Sequence, residues 1–573
     1  MTMESDVEAI TAENLARMQE LSERISAAIA SATPIDPALQ GPGPALYAKA
    51  AEALAAESFD PAKVFAEQTK IWGEVLARMS GQAEAPKDKR FSHEAWTNEP
   101  AMAFMRAHYE AFGAGLKTMI GGLPGLTDRD RKRLDYFATQ FLDAYAPVNF
   151  LGMNPEALQK ALDSKGATLV QGMENLARDL EAHHGQMQVT LADPTAFVVG
   201  KNLATTPGEV VFRNEILELI QYTPTTEKVY KTPLVIFPPW INKFYILDLR
   251  PGNSLIEWLV AQGFTTCVVS WKNPGPDFAP FAMDDYVEKG YLAAINFMRK
   301  RFDVKQVNAV GYCIAGTTLA MTLSRLQQMD ESPVASATFL TTLTDFSDQG
   351  EVGVYLDDDF VDGIERVATA KGILEAFYMM RTFSYLRSND LIYAPAIRSY
   401  LMGEKPPAFD LLYWNSDSTN LPATMAVEYL RGLCQADRFA RDGFPLIGGL
   451  ANLKDVKLPV FAVACETDHI AAWRGSFNGI VQMGSKNKTF ILSESGHIAG
   501  IVNAPARGKY GYWMNPDLET DPDNWKAAAV HTKGSWWPEW EAWLKKRSGK
   551  KVEARKPKKS LGPAPGTYVL EKA

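Results

Sequence analysis

The stretch Gly311-Tyr312-Cys313-Ile314-Ala315-Gly316 sets a thiol between an apolar run and a string of small residues. Val307-Asn308-Ala309-Val310 precedes it as a strand candidate and Thr317-Thr318-Leu319-Ala320-Met321 follows as a helix candidate, so Cys313 is expected at the tip of a strand-to-helix turn. A thiol placed there lies near a helix N-terminus, where developing negative charge is favoured. Its thiolate is a good nucleophile and a good leaving group, which suits taking an acyl group from a thioester and passing it on. The alternative is a buried structural cysteine, since free cysteines commonly pack as small hydrophobes.

The turn resembles the nucleophile elbow of an α/β-hydrolase, with cysteine for the usual serine and Ala315 where the pattern Gly-x-nucleophile-x-Gly ends in glycine. In that fold the acid and then the histidine follow the nucleophile along the chain. Residues 458–464 read as a strand leading to Asp468-His469, and residues 488–492 as a strand leading to His497. Open α/β sheets place ligands beyond the carboxyl ends of their strands, so these loops can converge on Cys313. Cys313, Asp468 and His497 are therefore the expected triad. Of the seven histidines, His469 adjoins the candidate acid and reads as structural or supporting. His93, His108 and His531 fall in helical or peripheral segments, and His183-His184 suit a helix C-terminus.

An oxyanion site needs the Ile314 N–H and a second donor from the loop after strand 234–237. Pro238 and Pro239 have no N–H to give, which leaves Trp240 or Ile241. Sequence does not separate these two. Asp248 reads as orienting this loop or capping a helix.

The elements that must position these groups come from a chain of 573 residues with 46% hydrophobic content, enough for a large enzyme core with additional parts. Residues 1–200 read as a mostly helical accessory domain, with breaks around Pro34, Pro37, Pro42 and Pro44 and again between Gly121 and Gly125. Asn154-Pro155 reads as a cap and first-turn proline, with Leu158 and Leu162 on one apolar face. Residues 201–573 read as the catalytic domain, an α/β fold with strands at 234–237, 265–270, 307–310, 335–340, 460–464 and 489–492 alternating with helices. An insertion at about 345–449 interrupts that alternation and is expected to form a cap over the nucleophile. Trp536-Trp537-Pro538-Glu539-Trp540 reads as a packing segment, followed by a basic run at 545–559 read as a solvated, partly disordered tail.

Lys+Arg total 59 against Asp+Glu 68, a net charge of −9 that carries no general nucleic-acid footprint. The acidic, polar start is unlike a secretory signal, and no run approaches the roughly 18 apolar residues of a membrane span, so a cytoplasmic enzyme is expected. Cys267, Cys313, Cys434 and Cys465 show neither metal-ligand spacing nor an obvious disulfide framework. No metal or redox cofactor is expected.

Several longer strings carry a family resemblance. The elbow, Pro238-Pro239-Trp240-Ile241-Asn242-Lys243, Ser270-Trp271-Lys272-Asn273-Pro274, Trp414-Asn415-x-Asp417-x-Thr419 and Gly496-His497 look like those of a polyhydroxyalkanoate synthase. Phe91-Ser92-x-x-x-Trp96 and Pro565-Gly566-x-Tyr568-Val569 extend the match over nearly the whole chain. The length and long N-terminal region are similar to class I members, which act without a second type of subunit. The resemblance implies polymerisation of (R)-3-hydroxyacyl-CoA, with short acyl groups such as 3-hydroxybutyryl, through an acyl-cysteine and with release of CoA. It also implies a homodimer working at the surface of cytoplasmic polymer granules on a growing polyester chain. A cysteine-dependent acyl-CoA thioesterase would share the triad and admit water instead.

Overall fold

Parallel strands covered on both faces need apolar side chains at every position, and the second half of the chain supplies such runs. A computed structural model describes residues 3–39, 41, 43–56, 61–83 and 87–573. Among the described residues ten strands form the main sheet: β1 (Gly208–Arg213), β2 (Leu217–Tyr222), β3 (Leu234–Phe237), β4 (Thr266–Trp271), β5 (Val307–Tyr312), β6 (Val334–Leu340), β7 (Val460–Cys465), β8 (Lys488–Ser493), β9 (Tyr512–Met514) and β10 (Val530–Thr532). Their spatial order is β1-β2-β4-β3-β5-β6-β7-β8-β9-β10. Pairing is parallel from β4 to β8 and antiparallel at both edges. Every residue of β3, β5 and β7 is buried, and these expected strands are mostly apolar, with Asn308 the polar exception in β5.

Strand β2 escapes the apolar-run reading because Glu218 and Gln221 interrupt it, yet both are buried. Glu218 accepts from Arg213 and from the backbone N–H and hydroxyl of Thr567, each at 2.8 Å. A buried carboxylate is tolerable only with such partners. A Cβ on Gly566 would lie 2.2 Å from Glu218 Oε2, so glycine is required where the tail crosses this carboxylate.

The tryptophan segment packs as expected, and the basic run at 545–559 is largely exposed but pairs as a strand where partial disorder was expected. The helix Trp537–Lys545 buries Trp537 and Trp540, and the Trp540 indole N–H donates to Thr338 of β6 at 2.9 Å. Beyond it Lys551–Glu553 pairs antiparallel with Lys228–Tyr230, setting Val552 opposite the fully buried Val229. Backbone pairing and one apolar anchor order a segment whose composition suggested solvent.

Contacts divide the chain into two units: Met1–Asp193 with Thr382–Ala408, and Pro194–Arg381 with Phe409–Ala573. The middle of the expected cap thus groups with the helical part. Asn175 donates to the carbonyls of Ser399 and Glu404, and Ser388 donates to Asp143. Gly172 lies so close to Tyr400 that a Cβ would meet its carbonyl oxygen at 2.0 Å.

The helical unit is built from Met3–Ala30, Gly43–Ala56, Pro61–Met79, Pro100–Gly122, Asp128–Ala144, Pro155–Asp163 and Ala167–Ala182. Asn154 caps the sixth of these, accepting from Ala157 N–H at 3.0 Å with Pro155 in the first turn. That helix buries Ala157 and Ala161, whereas Leu158 and Leu162 are 38% and 66% exposed, contrary to the expected apolar face. Pro44 sits in the first turn of Gly43–Ala56 instead of breaking it, where a missing N–H costs nothing. Pro42 lies outside the described residues.

Candidate active site

Cys313 joins β5 to the helix Ile314–Gln328 with φ 55° and ψ −129°, a backbone state that costs a non-glycine residue on the order of 1–3 kcal/mol. The surroundings hold it there. Cys313 N–H donates to Leu340 C=O of β6 at 2.8 Å. A Cβ on Gly311 would lie 2.4 Å from Gly316 Cα, and one on Gly316 would lie 2.0 Å from Thr342 Oγ1. The close approach of strand and helix therefore runs from Gly311 to Gly316. Ala315 fits at the last position of the usual pattern, fully buried, with its carbonyl accepting from the Tyr291 hydroxyl at 2.8 Å. Cys313 itself stays partly exposed, whereas Cys267, Cys434 and Cys465 are buried.

Asp468 and His497 come to this turn from the loops after β7 and β8. The Asp468 side chain is fully buried. Its Oδ1 accepts from the N–H groups of Ile470 and Ala471 at 2.8 and 2.9 Å, and its Oδ2 meets His497 Nδ1 at 2.7 Å. With Nδ1 committed to Asp468, Nε2 is the ring nitrogen left free to act on Cys313. Burial, the largest single influence, pulls the imidazole down, yet Asp468 and Cys313 together outweigh it and hold His497 well above its ordinary value. The ring is further fixed by Tyr312, which stacks on it at 5.7 Å and donates its hydroxyl to the His497 carbonyl at 3.2 Å. The turn beyond His497 is held from the tail, since the Trp536 and Trp537 indoles donate to the Gly500 and Ile501 carbonyls at 2.8 and 2.9 Å.

The loop after β3 is clasped by a distant segment. Trp240 is buried and its indole N–H donates to Thr318 Oγ1, on the nucleophile helix, at 3.3 Å. Thr419 donates its hydroxyl to the Trp240 carbonyl at 2.8 Å and its N–H to the Ile241 carbonyl at 3.3 Å. In a trans peptide the carbonyl and the next N–H point opposite ways, so the Ile241 N–H is turned away from Thr419. Asp248 accepts from Ser254 Oγ at 2.7 Å, and Ser254 in turn caps the helix Leu255–Ala261 through Glu257 N–H at 2.9 Å. Burial raises the Asp248 carboxyl even with donors from Thr206 and Ser254.

Three of the other histidines have partners elsewhere. His531 pairs with Glu494 at 2.9 Å, His108 stacks on Phe104 and lies tilted against Trp72, and His93 Nδ1 accepts from Ala95 N–H at 3.2 Å. His469 is partly buried beside Asp468. His183 occupies the C-cap position of the helix Ala167–Ala182, where burial pushes its imidazole down. Sequence reasoning assigned no task to Tyr312 or Thr419. The first sits inside the elbow string and the second ends the Trp414-Asn415-x-Asp417-x-Thr419 string, and those positions were the only signal available.

Comparison with known proteins gives a consistent answer. A family profile described as Poly-beta-hydroxybutyrate polymerase (PhaC) N-terminus matches residues 87–259, and one described as alpha/beta hydrolase fold matches residues 233–504. The chain is 41% identical over 533 residues to a poly(3-hydroxyalkanoate) polymerase of Methylorubrum extorquens, covering 90% of this chain and 88% of that protein. It is 39% identical over 530 residues to the poly(3-hydroxyalkanoate) polymerase subunit PhaC of Rhizobium meliloti, covering 90% and 87%. For the corresponding subunit of Cupriavidus necator the identity is 37% over 517 residues, covering 88% and 86%. Similarity sustained at this level over most of each chain means that the protein belongs to the PhaC family of poly(3-hydroxyalkanoate) polymerases.

Proposed function

We propose that this protein is an acyltransferase that polymerises (R)-3-hydroxyacyl-CoA into polyester, with Cys313 as nucleophile, His497 as base and Asp468 as orienting acid. The observation that carries the reading is the Asp468–His497 hydrogen bond in the loops after β7 and β8 together with Cys313 on an elbow turn, in a chain whose relatives are named polymerases. His497 Nε2 holds the proton taken from the Cys313 thiol, and Sγ attacks the thioester carbonyl carbon as thiolate. The resulting oxyanion is held by the Ile314 N–H and a second donor. Collapse breaks the carbon–sulfur bond to CoA, and the imidazolium returns its proton to the departing thiolate. The acyl-cysteine is then attacked by a 3-hydroxyl, whose proton passes to His497, and the new ester leaves Cys313 as thiolate.

Both Asp468 oxygens already have partners, which favours holding His497 over activating the hydroxyl directly. Ile241 is favoured over Trp240 as second donor, because Thr419 fixes the Trp240 carbonyl and so turns the Ile241 N–H to the other side. Among the described residues no helix is long and apolar enough to cross a membrane. A short-acyl preference, a homodimer and work at cytoplasmic granules complete the proposal on the strength of the family resemblance. The test is a time course with (R)-3-hydroxybutyryl-CoA that follows CoA release and the acyl product together. Polymer is the expected product; free 3-hydroxybutyrate alone would assign a thioesterase instead.

A further inference from the structure

The segment that clasps the oxyanion loop is itself tied to a buried charge cluster which the reaction above does not use. Asp417, 6% exposed in its side chain, accepts from Lys243 Nζ at 2.9 Å and Lys572 Nζ at 2.8 Å through Oδ1. Its Oδ2 accepts from the hydroxyl of fully buried Tyr245 at 2.8 Å. Lys243 is 3% exposed in its side chain and also donates to the Glu571 carbonyl at 2.7 Å. Burial pushes the Lys243 ammonium down and Asp417 counters it. An ion pair this deep is often no more stabilising than apolar residues of the same shape, so its presence asks for a reason beyond stability.

The reason lies in what the cluster joins. Lys243 ends the loop that starts at Trp240, and its carbonyl accepts from the Trp414 indole at 2.7 Å. Asp417 stands two residues before Thr419, and Asn242 Nδ2 donates to Ser418 Oγ at 3.1 Å between them. The carbonyls of Trp240, Ile241 and Lys243 therefore all face the 414–419 segment, and the N–H that follows each is turned the opposite way. A slip of this segment by one residue would reverse that orientation.

We infer that Lys243 and Asp417 are a positioning pair: they lock residues 414–419 in register against the loop so that the Ile241 N–H points at the oxygen of the thioester attacked by Cys313. The inference rests on the proposed acyl transfer. A displacement of about 1 Å at a reacting centre costs on the order of 100-fold in rate, and loss of one oxyanion donor costs about as much or more.

The experiment compares two reactions of the same thiol in the full-length protein. Acylation of Cys313 by (R)-3-hydroxybutyryl-CoA forms an oxyanion, whereas alkylation by iodoacetamide does not. Asp417→Asn, and Thr419→Val as a variant that spares the ion pair, are expected to slow acylation about 100-fold with KM little changed. Their alkylation rates, corrected with Cys313→Ala as blank, should stay within about 3-fold of wild type. Equal loss of both reactions would make the cluster a general structural support and overturn the inference, as would unchanged acylation in both variants. Turnover surviving in Cys313→Ala would instead remove the proposed function itself, so the two failures are distinguishable.

Discussion

Replacing Asp468 with Asn is the sharpest single probe of the site, because the side chain keeps its shape and loses its charge. Oδ1 would still accept from Ile470 and Ala471, so the loop should hold. What goes is the ionic partner that His497 Nδ1 meets at 2.7 Å. With charge centres roughly 4 Å apart and an effective dielectric of about 20, that partner is worth about 4 kcal/mol to an imidazolium. At about 1.36 kcal/mol per decade this is about 1000-fold in any step that passes through the protonated ring. The Asn amide can also stabilise the wrong tautomer, which adds to the loss.

The substitution has a signed pH signature. Folding raises His497 in the wild type, so its contribution to stability is fully present below the unfolded histidine value near ~6.5 and is lost as pH rises through the raised folded value. In Asp468→Asn the upward influence of the carboxylate is gone, and the ring is expected to lose its proton at a lower pH than in the wild type. The stability gap between the two proteins should therefore widen as pH falls through the raised wild-type value. CoA release, urea midpoints across pH and an NMR titration of labelled histidine, with His497→Gln to assign the resonance, read these effects. A variant that keeps more than about a tenth of the activity, with His497 titrating as in the wild type, would refute the reasoning.

Other substitutions test separate parts of the account. Cys313→Ala should abolish CoA release while leaving thermal unfolding and association with polymer granules intact, as read by calorimetry and granule sedimentation. Gly316→Ala should destabilise by about 1–3 kcal/mol or more, because its Cβ would meet Thr342 Oγ1 at 2.0 Å; adding Thr342→Ala should recover only part of the lost melting temperature, since Thr342 Cβ would still lie 2.9 Å away. Trp537→Ala should cost about 3–5 kcal/mol through the cavity it leaves. It also frees the Ile501 carbonyl near His497, so activity of the folded fraction should fall too.

The proposed triad could be read from local patterns. A thiol between an apolar run and small residues, and an acid and a histidine each just after an apolar run, reflect backbone and burial preferences that act within a few residues. The same locality explains the parallel strands that were recognisable and the failure at β2, where buried Glu218 and Gln221 look like surface residues until Thr567 and Arg555, far along the chain, supply their respective partners. In the helix Pro155–Asp163 the pairs Ala157/Ala161 and Leu158/Leu162 have the same spacing, and packing alone chose the alanines. Thr419 grips Trp240 across 179 positions, and residues 382–408 leave the expected cap for the helical unit. Such choices depend on which distant groups can bury together with their hydrogen bonds satisfied. Residue types and short-range spacing thus determined the chemistry this chain can attempt, and the aim of its N–H donors and the register of the segments behind them were decided only when the chain closed on itself.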